Sequence, residues 1–218
     1  MHEGVATQRL KTIFRAAAGG FIAFAVGMQY WLVIYDRPGA DLVTSTIKFF
    51  SFFTILSNVL AALALLLPVA MPNTSLGRFF DRYSVRTALT GYIIIVGVVY
   101  FLLLRDLSHR QGWGLFFEHV LHYVTPPLFV LDWLLFVPKV EVDWRVGFTS
   151  LGFPALYLAW TFVHGDSTGW YPYPFIDVPE LGYTRALVNV GGLIIAFLGL
   201  ELALVGIGRL LGHKGRTF

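Results

Sequence analysis

Residues Ser45 to Pro68 read STIKFFSFFTILSNVLAALALLLP, and this run decides the fold. A hydrocarbon core needs about 20 apolar residues at 1.5 Å rise per residue, and beyond Lys48 the run carries no charge at all. Working outward from it, hydropathy marks five more runs of the same kind. The six expected spans lie at about 12–34, 45–68, 86–104, 115–137, 146–164 and 184–207. The connections between them are short and polar, and no stretch is left over for a soluble domain. The expectation is an all-α polytopic membrane protein, one domain over 1–218, built as a bundle of six transmembrane helices whose backbone groups are satisfied within each helix.

Composition agrees with that reading. Of 218 residues, 56% are hydrophobic, 17% aromatic and only 13% charged, against roughly a quarter charged in soluble domains. There is no cysteine, which excludes disulfides, thiolate metal sites and Cys nucleophiles. The net charge of +3 is small and its basic residues are scattered, so nucleic acid is not an expected partner. Lys and Arg set topology instead. With the N-terminus cytoplasmic, that side receives Arg9, Lys11, Arg15, Arg78, Arg82, Arg86, Lys139, Arg145, Arg209, Lys214 and Arg216, eleven of the sixteen. Both termini are therefore expected inside. Met1 to Leu10 carries no small-residue cleavage pattern, so the first span is expected to be a retained helix.

Polar residues inside spans are costly and usually face the bundle interior. In the second span, read as one helix, Ser51, Thr54 and Asn58 share a stripe at i, i+3 and i+7. Such residues commonly glue membrane helices together, and a hydroxyl is also a candidate nucleophile. Lys48, near the outer boundary, can snorkel outward. The fourth span carries Glu118-His119-Val-Leu-His122, two imidazoles at i, i+3, ahead of Pro126-Pro127. A neutral imidazole suits a general base or proton relay, although a satisfied core histidine has the same sequence signal. As a metal site the pair is incomplete, with two ligands and no HExxH pattern, so no metal or cofactor is expected. The prolines should kink the helix and free carbonyls.

Depth relates these groups. Ser51 and Thr54 lie about 9 and 14 Å below the start of their span, and His122 about 10 Å below the start of its own. A hydroxyl and an imidazole can meet if the two helices are neighbours. Asp132 and Glu201 lie deeper, about 26 Å below the outer face. Arg15 and Arg209 are within plausible reach of that level, and both acids read as structural charges. The connection before the last span contains Trp170-Tyr171-Pro172-Tyr173-Pro174-Phe175. It reads either as an aromatic anchor at the interface or as a lid over an outward-facing pocket.

Six spans, Lys48-Phe49-Phe50-Ser51-Phe52, His119-x-x-His122 and Trp170-Tyr171-Pro172 resemble the androgen-induced gene family. Its members include the androgen-dependent TFPI-regulating protein, and its vertebrate members are membrane threonine hydrolases of fatty acid esters of hydroxy fatty acids. Position by position, His119, His122, Pro127 and Asp132 fall on the family's fourth-helix pattern, in which the second histidine is catalytic. Lys48 to Phe52 place Ser51 at the nucleophile position and Asn58 where the family has Gln. Thr54, one turn deeper, keeps the residue type, so either hydroxyl remains a candidate. Trp170, Tyr171, Pro172, Phe175 and Glu201 also fall on family positions.

The resemblance implies a hydrolase of lipid esters with membrane lipids and a fatty-acyl ester as its partners. His122 would act as base, Ser51 or Thr54 as nucleophile, and His119, Asn58, Trp170 and Tyr171 in supporting roles, with Asn58 or Tyr171 at the oxyanion. The compact loops suggest a bacterial cell membrane. No Gly-x-Ser-x-Gly elbow supports a hydrolase independently. The rival expectations are a lipid or small-molecule binding or transport protein using the same polar face without catalysis, and a metal or haem protein ligated by the histidines.

Overall fold

The computed structural model describes residues 2–35, 39, 41–139 and 143–214. Every regular element among them is helical. The chain divides into two compact units, Met1–Pro138 and Lys139–Phe218. Five helices among the described residues are long and apolar enough to cross a membrane: Gly4–Tyr35, Phe53–Ala70, Tyr83–Leu107, Arg145–Thr168 and Val178–Gly212.

The first unit begins with α1 (His2–Tyr35), α2 (Leu42–Phe50), α3 (Phe53–Ala70) and α4 (Ser75–Asp81). The expected single helix over 45–68 is thus two helices. Ser51 caps α2, and Phe52 is extended at φ −83, ψ 127 before α3 starts. The Ser51 hydroxyl donates to the Ile47 carbonyl at 2.8 Å, while the Ser51 and Phe52 amides turn back to Lys48 and Phe49. A serine that takes the i−4 carbonyl competes with the backbone for it and bends the helix. Ser51 therefore leaves the Thr54–Asn58 stripe, which lies wholly on α3. Helices α1 and α3 run antiparallel and close together, because a Cβ on Gly19 would lie 2.8 Å from Leu66 Cγ. Small residues of this kind let membrane helices approach.

Next come α5 (Tyr83–Val99), which runs on through a π turn at Tyr100–Leu104, and α6 (Gly112–His119), joined through a second π turn at Val120–Val124 to α7 (Thr125–Phe136). Gly112–Phe136 corresponds to the expected span at 115–137. Two imidazoles, two prolines and Asp132 dilute its apolar character, and it is not among the five helices above. Ala25, Ile55, Phe117, Val120 and Leu121 pack α1, α3 and this segment around one core.

Away from that core, charges tie four helices together. Arg15 on α1 holds Asp132 on α7 through Nε at 2.7 Å and Nη2 at 3.3 Å, and Asp81 on α4 through Nη1 at 2.6 Å. Arg86 on α5 donates to Asp132 as well, and to the Ala64 carbonyl on α3. Pro68 has no N–H to offer that carbonyl, so the guanidinium satisfies a group that proline leaves orphaned. Asp132 is fully buried in this network, and of the two arginines expected within reach of its level, Arg15 bonds it. Arg86, counted in the sequence with the cytoplasmic-side charges at the start of the third span, is fully buried beside it.

In the second unit, α8 (Arg145–Thr149) and α9 (Gly152–Thr168) lead to α10 (Val178–Lys214), which turns at Gly182 with φ 73. Glu201 on α10 is fully buried, and neither carboxyl oxygen has a hydrogen-bond partner among the described residues. Among the described residues no ion pair holds it, and the Arg209 guanidinium lies over the Trp144 ring at 5.6 Å.

Candidate functional site

Thr54 is the second residue of α3, and its position follows from the break at Ser51 and Phe52. Its Oγ1 lies 3.2 Å from His122 Nε2. His122 sits in the middle of the π turn, 8% exposed, with Nδ1 2.8 Å from the carbonyl of Glu118. A carbonyl can only accept, so in the neutral imidazole Nδ1 carries the proton and Nε2 presents its lone pair. The Thr54 hydroxyl then donates to Nε2. This is the tautomer and the direction that a general base requires. The group that orients the imidazole is a backbone carbonyl four residues earlier on the same helix, where a triad would use a carboxylate.

The two prolines explain the turn. Pro126 offers no N–H to the His122 carbonyl, and Pro127 offers none to that of Tyr123. The Thr125 amide slips back one residue and bonds Val120, which gives i→i+5 spacing. Leu121 is then left without a helical donor, since its i+4 amide has moved and its i+5 residue is Pro126. Asn58 supplies the missing donor, with Nδ2 reaching Leu121 O at 3.3 Å and Thr54 O at 2.8 Å. The expected kink and freed carbonyls thus take the form of a π turn clasped by an asparagine. Both amide hydrogens of Asn58 are committed to carbonyls, so Asn58 positions Thr54 against the turn and is not placed to stabilise an oxyanion.

Tyr100, on the other π turn, stacks on the imidazole with ring centroids 3.8 Å apart and planes 22° from parallel. Beside it a mostly apolar groove of about 440 Å³ is lined by Gly97, Val98, Phe101, His122, Tyr123 and Pro126. Polar groups also gather near the Glu118 end of α6. Its carboxylate accepts from Ser108 Oγ at 2.7 Å, and Arg110 Nε lies 3.9 Å away.

The other expected residues are distributed as follows. Ser51 is buried, but its hydroxyl is given to Ile47. His119 is exposed and its ring tilts against Tyr123 at 5.2 Å, so the two histidines do not converge. Among the described residues no group of three His, Asp or Glu side chains is arranged to hold a metal. Trp170 and Tyr171 belong to the second unit, where the chain folds back on α9. The Tyr171 ring is buried against Gly165, and Trp170 meets His164 edge-on at 5.9 Å.

Sequence reasoning missed Tyr100, Arg86 and the Glu118 carbonyl. Pro126-Pro127 was the one signal that backbone groups near His122 would be released. Compared with protein-family models, with curated proteins and with solved structures, the chain matches none.

Proposed function

We propose that this protein is a membrane-embedded hydrolase of lipid esters, with Thr54 as nucleophile and His122 as general base. The observation that carries the reading is the Thr54 Oγ1 to His122 Nε2 contact, with Nδ1 tethered to the Glu118 carbonyl. His122 Nε2 takes the hydroxyl proton as Thr54 Oγ1 bonds to the ester carbonyl carbon. The tetrahedral adduct collapses, and the departing alkoxide takes the proton from Nε2. Water, deprotonated by the same nitrogen, then attacks the acyl-threonine; the acyl C–Oγ1 bond breaks, Oγ1 recovers the proton from Nε2, and a carboxylic acid is released. Thr54 lies in the first turn of α3, where the helix dipole favours the negative charge that develops. The groove beside His122 offers an apolar seat for the acyl chain of a lipid arriving from the bilayer.

The resemblance to the androgen-induced gene family, carried by Lys48 to Phe52 and by His119, His122, Pro127 and Asp132, supports the same chemistry. It aligns Ser51 with the nucleophile, and the distance to Nε2 favours Thr54. In this reading Gly112–Phe136 is the fourth of six crossings and both termini are cytoplasmic. The charge cluster then lies toward the cytoplasmic side, because Ala64 and Asp132 are each ten residues, about 15 Å, further along their helices than Thr54 and His122.

The test uses the full chain in detergent or nanodiscs with a fluorophosphonate probe and a long-chain ester. Thr54→Ala and His122→Ala should each abolish labelling and lower turnover roughly 10²- to 10⁴-fold, while Ser51→Ala keeps both. Absence of labelling in the wild type, or turnover that survives both Thr54→Ala and His122→Ala, refutes the reading. Saturable lipid binding by a wild type that shows neither labelling nor turnover would mark a binding protein instead.

A further inference from the structure

The two π turns of the first unit face each other. Such turns account for well under 1% of residues in soluble proteins and occur often at functional sites. One begins with Tyr100 and the other is centred on His122, and the two rings form the stack already described. Tyr100 is 2% exposed. One turn earlier, Gly97 lets the helices come close enough for the stack, since a Cβ there would lie 3.0 Å from the His122 carbonyl oxygen and 3.2 Å from Pro126 Cγ.

Two hydrogen bonds hold the His122 ring. Nδ1 is tied to Glu118 O at 2.8 Å and Nε2 to Thr54 Oγ1 at 3.2 Å. These two bonds alone, the Nε2 one at 3.2 Å, oppose a tilt of the ring about its Cβ–Cγ bond, which would carry the Nε2 lone pair out of alignment with Thr54. A flat ring packed on the imidazole face blocks that tilt. When Nε2 is protonated, the same face offers its negative quadrupole to the imidazolium.

We propose that Tyr100 is the positioning residue for His122, acting through its ring face and not through its hydroxyl. The inference rests on the hydrolase reading for its kinetic consequence, but its structural consequence can be read without turnover.

The test compares Tyr100→Leu and Tyr100→Phe in the full chain in nanodiscs. Misplacement of a reacting group by about 1 Å can cost 10²-fold. Tyr100→Leu should therefore lower kcat roughly 10- to 100-fold with KM little changed, and Tyr100→Phe should restore it to near the wild-type value. In parallel, ¹⁵N spectra of the histidines should show His122 as a single Nδ1–H tautomer in wild type and Tyr100→Phe, and as an exchanging mixture in Tyr100→Leu. Where Tyr100→Leu does not fold, Tyr100→Met carries the same expectation.

A leucine variant with wild-type kcat and one sharp tautomer overturns the proposal, as does a phenylalanine variant as impaired as the leucine one. A wild type with no turnover and no labelling overturns the hydrolase reading, and the ¹⁵N comparison still decides the role of the stack.

Discussion

Replacing Asp132 by Asn tests what holds the first unit together. The substitution keeps the shape of the side chain and removes its charge. Three contacts lose their anion: Arg15 Nε and Nη2, at 2.7 and 3.3 Å, and Arg86 Nη1. Both guanidiniums are buried, at 1% and 0% exposure, and neither can reach water without moving a helix. They would be left to share Asp81, whose side chain is 42% exposed and therefore screened. Removing one partner of a buried ion pair costs about 3–5 kcal/mol, because the uncompensated charge remains. At roughly 2–4 °C per kcal/mol for a chain of this size, thermal unfolding in detergent should fall by about 6–20 °C. Asp81 pairs with Lys11, Arg15 and Arg86, yet at this exposed position Asp81→Asn should cost only about 0–1 kcal/mol. Thermal denaturation of both variants, checked by SDS titration, separates the two. Equal losses, or a loss below about 1 kcal/mol for Asp132→Asn, would refute the idea that burial decides the strength of this network.

Three further outcomes follow from other contacts. Asn58→Leu removes the donor to the Leu121 and Thr54 carbonyls. The Leu121 carbonyl is then buried without a partner, so stability should drop by about 1–3 kcal/mol and probe labelling of Thr54 should slow; unchanged denaturation curves would exclude the clasp. Gly165→Ala drives a methyl into the Tyr171 ring and should cost about 1–3 kcal/mol through overpacking, seen as a change in Trp170 fluorescence and a lower melting temperature. Asp41 caps α2, and hydrogen bonds from Thr44, first its side chain and then its backbone amide, hold the carboxyl below its ordinary value of 3.8. A depressed folded value means the cap stabilises α2 above pH 3.8 and is lost as pH falls through the lower folded midpoint. The ¹³C carboxyl titration should therefore fall below 3.8 in wild type and move back toward it in Thr44→Val, and a wild-type midpoint at or above 3.8 would contradict the cap.

Much of this was legible in the sequence, and the exceptions have specific causes. Apolar runs and the depth of each polar residue brought Thr54 and His122 to one level before any contact was known, since helical rise is nearly constant. The break between α2 and α3 was not legible. Hydropathy runs straight through KFFSFFT, whereas the chain turns at Ser51, whose hydroxyl takes the Ile47 carbonyl, and at the extended Phe52. A motif alignment puts Ser51 at the family's nucleophile position, while beyond the turn it is the Thr54 hydroxyl that lies 3.2 Å from His122 Nε2. Arg86 lies at the start of an apolar run, where charge counting assigns it to the cytoplasmic side; its long side chain reaches inward to Asp132 and Ala64. Tyr100 had no signal, because an aromatic in an apolar span looks the same whether it faces lipid or an imidazole.

The prolines connect these cases. Pro68 and Pro126 each sit inside a helix and withhold a backbone donor, and in each case a polar side chain from a neighbouring helix supplies one: Arg86 to Ala64, and Asn58 to Leu121. Other buried hydroxyls in the first unit also serve the backbone. Thr90 bonds the Arg86 carbonyl, Thr125 that of Val120 and Ser51 that of Ile47. Polar side chains that repair the backbone are what a low-dielectric bundle requires, and they need no catalytic explanation. Thr54 makes a contact of another kind: its hydroxyl meets an imidazole nitrogen whose other side is fixed by a carbonyl and whose face is covered by Tyr100. A residue placed only to satisfy its own helix would not need a base held in one tautomer, and the hydrolase proposal rests on this contact.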